Sequence, residues 1–94
     1  MPSLSSVSDT LLKIYTTTSC GDCRMAKAVM DRAGVDYDEI NLDRTPEAVA
    51  TVLEINGGYS TVPTILLPGG RVLVEPSRQE LLAALDLEHL RRAS

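Results

Sequence analysis

The spacing of apolar side chains divides this chain into short segments of changing period. Residues 11–15, LLKIY, are an apolar run rich in strand formers, leading through three threonines into Cys20. Beyond Cys23, Ala26, Val29, Met30 and Ala33 recur at spacings of three and four, the repeat of one helix face, and Gly34 supplies a stop. VDYDEINL, residues 35–42, returns to mixed apolar and polar character and predicts a second strand. Strand, helix and strand thus fit within about 30 residues, a βαβ unit with Cys20 where its helix begins.

The second half reads the same way. Thr45, Pro46 and Glu47 are a cap, a first-turn proline and a first-turn acid, opening a helix through Val49, Val52 and Leu53 that Asn56-Gly57-Gly58 closes. TVPTILL, 61–67, predicts a third strand, and Pro68-Gly69-Gly70 turns it into an antiparallel partner, RVLV, 71–74. Ser77-Arg78-Gln79-Glu80 has the form of a capping box ahead of Leu81, Leu82 and Leu85, so an amphipathic helix ends the chain. The predicted order is βαβαββα, an α/β domain.

Composition narrows the class. The 94 residues suit one domain, with 44% hydrophobic and 23% charged residues, an ordinary balance for a globule with a single core. Thirteen acidic against nine basic side chains give a net charge of -4, without the basic footprint that nucleic acid or an anionic membrane requires. MPSLSSVSDT lacks the features of a secretory signal and no run approaches transmembrane length, so the expected compartment is the cytosol. Residues 1–9 are expected to be a loose Ser-rich tail, and 10–94 the domain. With no heptad seam or long apolar edge, a monomer is expected.

Both cysteines of the chain fall in TTTSCGDCRMA, residues 16–26. A bridge across two residues closes too small a loop to restrict the unfolded chain much, which argues against a purely structural staple. In a reducing compartment such a pair is catalytic or metal-binding. A four-coordinate zinc site within one chain needs two more ligands, and the only histidine, His89, lies far along in the last predicted helix. For redox chemistry the placement is favourable: unpaired N–H groups and the positive end of the helix favour a thiolate at Cys20. Cys23, one turn on, is then the resolving thiol. Thr61-Val62-Pro63 is the second informative element. A cis peptide before Pro63 would turn the backbone outward and leave Val62 N–H and C=O to pair with an extended substrate.

Cys20-Gly21-Asp22-Cys23 after a first strand, with Thr61-Val62-Pro63 opening the third, resembles the glutaredoxin branch of the thioredoxin-like fold over residues 10–92. More narrowly, YTTTSCGDC, INGGYSTVPT and EPS look like the YTTSWCGYC, VNGGNRTVPT and NPS of mycoredoxins, glutaredoxin-like proteins of mycothiol-using bacteria. The resemblance implies a four-stranded mixed sheet with helices on both faces. It also implies an oxidoreductase without a bound cofactor whose Cys20 attacks a mixed disulfide between a protein and a low-molecular-weight thiol, mycothiol or glutathione. Two other readings stay open: a dithiol donor recharged by a flavoprotein disulfide reductase, in which Cys23 is indispensable, and a module in which two chains bridge a cluster or zinc through Cys20.

Ser19 and Asp22 stand where that pattern has aromatics, which removes apolar cover from the rim. Asp22 places a negative charge near the Cys20 thiolate, offset in part by Arg24 and Lys13; alternatively it completes a Ser19-x-x-Asp22 cap. Gly57 and Gly58 would let backbone approach a small thiol, although a helix end calls for glycine in any case, and Tyr59 is a candidate rim aromatic. Glutathione-binding glutaredoxins carry a glycine pair and an acid where this chain has Glu75-Pro76-Ser77, which disfavours glutathione. Ser77, at a helix start, would cap it or help receive a ligand carboxylate.

Overall fold

The computed structural model describes residues 12–90, so the tail expected at residues 1–9 lies outside the described residues. Strand β1 (Leu12–Thr16) pairs in parallel with β2 (Tyr37–Asn41) and antiparallel with β3 (Thr64–Leu66), which pairs antiparallel with β4 (Val72–Val74). The sheet order is β2-β1-β3-β4, a mixed sheet with β2 and β4 at its edges. Helices α1 (Gly21–Ala33), α2 (Val49–Ile55) and α3 (Arg78–Leu87) complete the predicted order, with a 3₁₀ turn at Pro46–Ala48 before α2.

The two-residue period of β1 explains the layering. Leu12 and Ile14 pack with Ile65, Leu67 and the buried faces of α1 and α3, through Ala26, Val29, Met30, Leu81, Ala84 and Leu85. Tyr15 points to the other face, where Leu42 and Val52 of the α2 side join it. Helices therefore cover both faces, and each fully buried Leu or Ile contributes roughly 1.5–3 kcal/mol.

Element ends differ from expectation for local reasons. β3 starts at Thr64, and residues 61–63 stand outside the ladder. Pro46 starts a 3₁₀ turn rather than the α-helix, and the Thr45 side chain makes no capping bond. The Ser19-x-x-Asp22 cap does not form, because Cys20 is the N-cap of α1 and its own sulfur accepts the Cys23 N–H. α3 stops at Leu87, and the exposed His89 follows in a left-handed turn (φ 57°) instead of lying within the helix.

Candidate active site

Parallel pairing of β1 with β2 brings the carboxyl ends of both strands to one end of the sheet, where the chain turns into α1. Cys20 and Cys23 meet there as a disulfide with their Cα atoms 5.2 Å apart. The two sulfurs are not equivalent. Cys23 is 1% exposed and faces the core, whereas Cys20 is only partly buried. Sγ of Cys20 lies 3.0 Å from the Cys23 N–H, one of the donors that a helix start leaves unpaired. Asp22 is exposed in the first turn of α1. The Arg24 guanidinium folds back across that turn, within 3.8 Å of where a side chain on Gly21 would begin.

The loop before Cys20 is clipped to the end of β2 by residues that sequence inspection did not single out. Thr18 N–H donates to Asp43 Oδ2 at 2.8 Å, and Asn41 Nδ2 donates to Thr18 Oγ1 at 3.3 Å. Asp43 N–H donates in turn to Asn41 Oδ1 at 2.9 Å. One turn deeper, Thr16 Oγ1 and Lys27 Nζ both donate to Glu39 Oε2, at 2.8 and 3.0 Å. Burial pushes the Glu39 carboxyl up, but these hydrogen bonds and the charges of Lys27 and Arg44 outweigh it and leave the group below the usual carboxylate value. Beside the cysteines opens a cleft of about 400 Å³ lined by Thr17, Thr18, Cys20, Cys23, Arg24, Lys27, Glu39, Asn41, Arg44 and Thr45. The pattern carried a signal for it: Lys27 lies four residues after Cys23 on one helix face, and Glu39 and Asn41 alternate onto one face of β2.

On the opposite side of β1, the Val62–Pro63 peptide is cis. The β1–β3 register pairs Tyr15 with Thr64, so Val62 stands level with the loop that enters Cys20. Among the described residues, neither N–H nor C=O of Val62 has a hydrogen-bond partner, while its side chain packs against the α2 face. Thr61 C=O accepts from Thr64 Oγ1 at 2.6 Å, and Asn56 Nδ2 donates to that same hydroxyl at 2.8 Å. Pro63 C=O accepts the Glu75 N–H at 2.9 Å, tying the β4–α3 turn to this loop. Glu75 holds a left-handed conformation (φ 48°), unusual for a residue with a side chain.

Other sequence candidates fall into local roles or onto the surface. Gly57 and Gly58 end α2 at positive φ, with Gly58 N–H on Leu53 C=O at 2.7 Å. A side chain on either would meet open space, so no close backbone approach calls for glycine there. Tyr59 is 70% exposed. The Ser77 hydroxyl accepts the Glu80 N–H at 3.1 Å, and the Glu80 carboxylate accepts the Ser77 N–H at 2.8 Å, a closed capping box. Neither Tyr59, the glycines, Thr61–Pro63 nor Ser77 lines the cleft at the cysteines. Among the described residues, no group of three or more His, Cys, Asp or Glu side chains converges on a point.

The sequence pattern of the glutaredoxin family matches residues 12–72. The Mycobacterium tuberculosis (strain H37Rv) protein named "Putative glutaredoxin Rv3198A" is 38% identical over 74 residues, covering 79% of this chain and 88% of its own length. "Glutaredoxin-like protein NrdH" of Escherichia coli K12 is 36% identical over 55 residues, covering 58% of this chain and 65% of its own. Among solved structures, the Archaeoglobus fulgidus glutaredoxin superposes with a TM-score of 0.68 at 20% identity, covering 89% of this chain and 88% of that one. A buckwheat glutaredoxin in complex with glutathione gives 0.62 at 24%, covering 90% and 81%. The chain therefore belongs to the glutaredoxin family, a thioredoxin-like α/β domain whose Cys20–Cys23 pair makes it a glutaredoxin-like thiol oxidoreductase.

Proposed function

We propose that this oxidoreductase reduces mixed disulfides between proteins and a low-molecular-weight thiol, mycothiol in preference to glutathione, with Cys20 as the attacking thiolate. The observation that carries the reading is the asymmetry of the pair. Cys20 is partly exposed at the N-cap of α1 and takes a backbone hydrogen bond, while Cys23 is sealed in the core. The Cys20 thiolate attacks the sulfur of the small thiol, forming a new disulfide with it and expelling the protein as its thiolate. A second small thiolate then attacks that sulfur, frees Cys20 and leaves as the symmetric small disulfide. Alternatively Cys23, after losing its proton, attacks Cys20 and releases the small thiolate, giving the observed pair.

On this reading the unpaired N–H and C=O of Val62, with Thr61 and Pro63 on either side, bind the extended small thiol. Asp22 and Arg24 act on the thiolate of Cys20, and Tyr59 and Ser77 border the ligand. The glycines 57 and 58 shape that border. The mycothiol preference rests on the three matched blocks and on Glu75-Pro76-Ser77, where glutathione-binding relatives carry a glycine pair and an acid. The cycle runs in a reducing cytosol, on a monomer.

A second reading, a dithiol donor recharged by a flavoprotein reductase, is favoured by the ready closure of Cys20 on Cys23. Reduction of mycothiol–protein and glutathione–protein disulfides by wild type, Cys20→Ser and Cys23→Ser separates the two. Activity retained in Cys23→Ser, lost in Cys20→Ser and higher on the mycothiol adduct supports the first reading. An inactive Cys23→Ser, with flavoprotein reduction of the wild-type disulfide, supports the second. Equal turnover in all three proteins overturns both.

A further inference from the structure

We infer that the cleft between α1 and β2 docks an acidic segment of the protein half of the mixed disulfide, seated by Arg24, Lys27 and Arg44. This rests on the reading of Cys20 given above. The net charge of the chain is -4, yet three of the seven basic residues between positions 12 and 90 line this one cleft. One carboxylate faces them, Glu39, and its Oε2 is already taken by Lys27 and Thr16. Arg24 and Arg44 have no ion-pair partner among the described residues. Asp22 and Asp43 are their neighbours in sequence; neither lines the cleft, and Asp43 accepts the Thr18 N–H.

The cations follow a seam. Arg24 and Lys27 are three residues apart on one face of α1, and both line the cleft beside Cys23. Across from them Glu39 and Asn41 span roughly 7 Å of β2, and Arg44 lies just beyond. Such a line leads away from the sulfur and suits several acidic side chains in succession better than the carboxylate of one small thiol. Its location points the same way. The cleft is built on the β2 side of β1, and the Val62 backbone stands on the β3 side. With the small thiol along Val62, the protein half of the disulfide is left to the cationic side.

The test uses two cysteine peptides, each as the mixed disulfide with 2-mercaptoethanol, flanked by glutamates in one and lysines in the other. The readout is the ratio of their reduction rates within each protein. Wild type should prefer the glutamate peptide about tenfold in low salt, the product of two or three exposed pairs worth roughly two- to threefold each. High salt should erase most of that preference. Arg44→Glu should cut the ratio at least threefold, and Arg44→Lys should keep it. A wild-type ratio near one, or a ratio unmoved by Arg44→Glu, overturns the docking site.

A cysteine-free glutamate peptide, titrated into the oxidised protein and followed by the NMR signals of the Arg24 and Arg44 side chains, separates this proposal from the reading beneath it. Shifts without reduction of any mixed disulfide support the docking site and reject the mixed-disulfide cycle. Turnover without shifts rejects the docking site alone. Glutathione saturating the same signals as tightly as the peptide would give the cleft to the small thiol and overturn the assignment.

Discussion

Replacing Glu39 tests how the end of β1 is held beneath the cysteine loop. Thr16, the last residue of β1, is 0% exposed, and its hydroxyl donates to Glu39 Oε2 at 2.8 Å. Lys27 donates to the same oxygen, but the Lys27 and Glu39 side chains are 28% and 31% exposed, so that ion pair is screened. An exposed pair contributes about 0.2–1 kcal/mol, whereas a buried hydroxyl left without an acceptor costs roughly 1–3 kcal/mol. The buried hydroxyl should therefore dominate. Glu39→Ala is expected to lose about 2 kcal/mol, and Glu39→Gln, which keeps an acceptor for Thr16, at most about 1. In a domain of this size 1 kcal/mol moves Tm by roughly 4–8 °C, so urea and thermal unfolding resolve the two variants. Thr16→Val removes the need for an acceptor, and in that background Glu39→Ala should cost much less than alone. The acid limb adds a second readout. Because the folded carboxyl is held below its ordinary value, its contribution is present above the unfolded value of about 4.3 and is lost as pH falls through the folded one. Glu39→Gln should flatten that limb. Equal losses for Ala and Gln, unchanged by Thr16→Val, would refute the reasoning.

Three further outcomes are expected. Burial, then the hydrogen bond to Asp31 and the charges of Asp31 and Glu39, push the Tyr37 phenol up to about 12. Its contribution is complete below about 10 and lost as pH rises through the folded value, so Tyr37→Phe should show a shallower alkaline loss of stability in pH-dependent urea unfolding. Ser77→Ala should cost about 1 kcal/mol in thermal unfolding by opening the capping box, and a raised KM for the small thiol at unchanged kcat would show a ligand role as well. Asp43→Ala frees the Thr18 N–H and should slow alkylation of reduced Cys20 several-fold with a loss of stability of about 1 kcal/mol; an unchanged alkylation rate would show that the clip does not position the thiol.

The three-four spacing of Ala26, Val29, Met30 and Ala33 made the core-facing side of α1 legible. The apolar run at 11–15 announced β1, but its largely apolar character hid which of Leu12, Ile14 and Tyr15 faces which layer. Ser77 and Glu80 form the box their spacing announced. What escaped were partnerships between segments. Nothing local to VDYDEINLD, residues 35–43, says that Glu39 will reach Thr16 and Lys27, or that Asn41 and Asp43 will hold Thr18, because these bonds join residues 12 to 25 positions apart. Of the two readings of Asp22, the Ser19-x-x-Asp22 cap failed for a related reason. Ser19 and Asp22 have capping-box spacing, but the loop is fixed by Asn41 and Asp43, and the chain enters α1 one residue later with sulfur at the cap.

That entry decides how the charges beside Cys20 are placed. Side chains two apart on a helix do not face each other, and Arg24 has no ion-pair partner among the described residues; in the cycle proposed above, each charge would act on a Cys20 thiolate from its own side of α1. Arg24 lines the cleft and reaches back over Gly21, and Asp22 is exposed in the first turn outside it. Two unit charges about 4 Å apart in water interact by about 1 kcal/mol, close to fivefold in an equilibrium, and at the greater distances of exposed side chains the effect is smaller. In that proposed cycle, opposite charges of similar size would offset each other at the sulfur and leave the helix start, with the Cys23 N–H, to favour the attacking thiolate. Alkylation of the Cys23→Ser protein as a function of pH should then be two- to threefold faster near neutrality with Asp22→Asn, slower by a similar factor with Arg24→Gln, and close to the starting rate with both, each factor being roughly half of the contact limit. Shifts of the same sign in the two single variants, or a double variant far from the starting rate, would mean that Arg24 and Asp22 act on each other rather than separately on the sulfur.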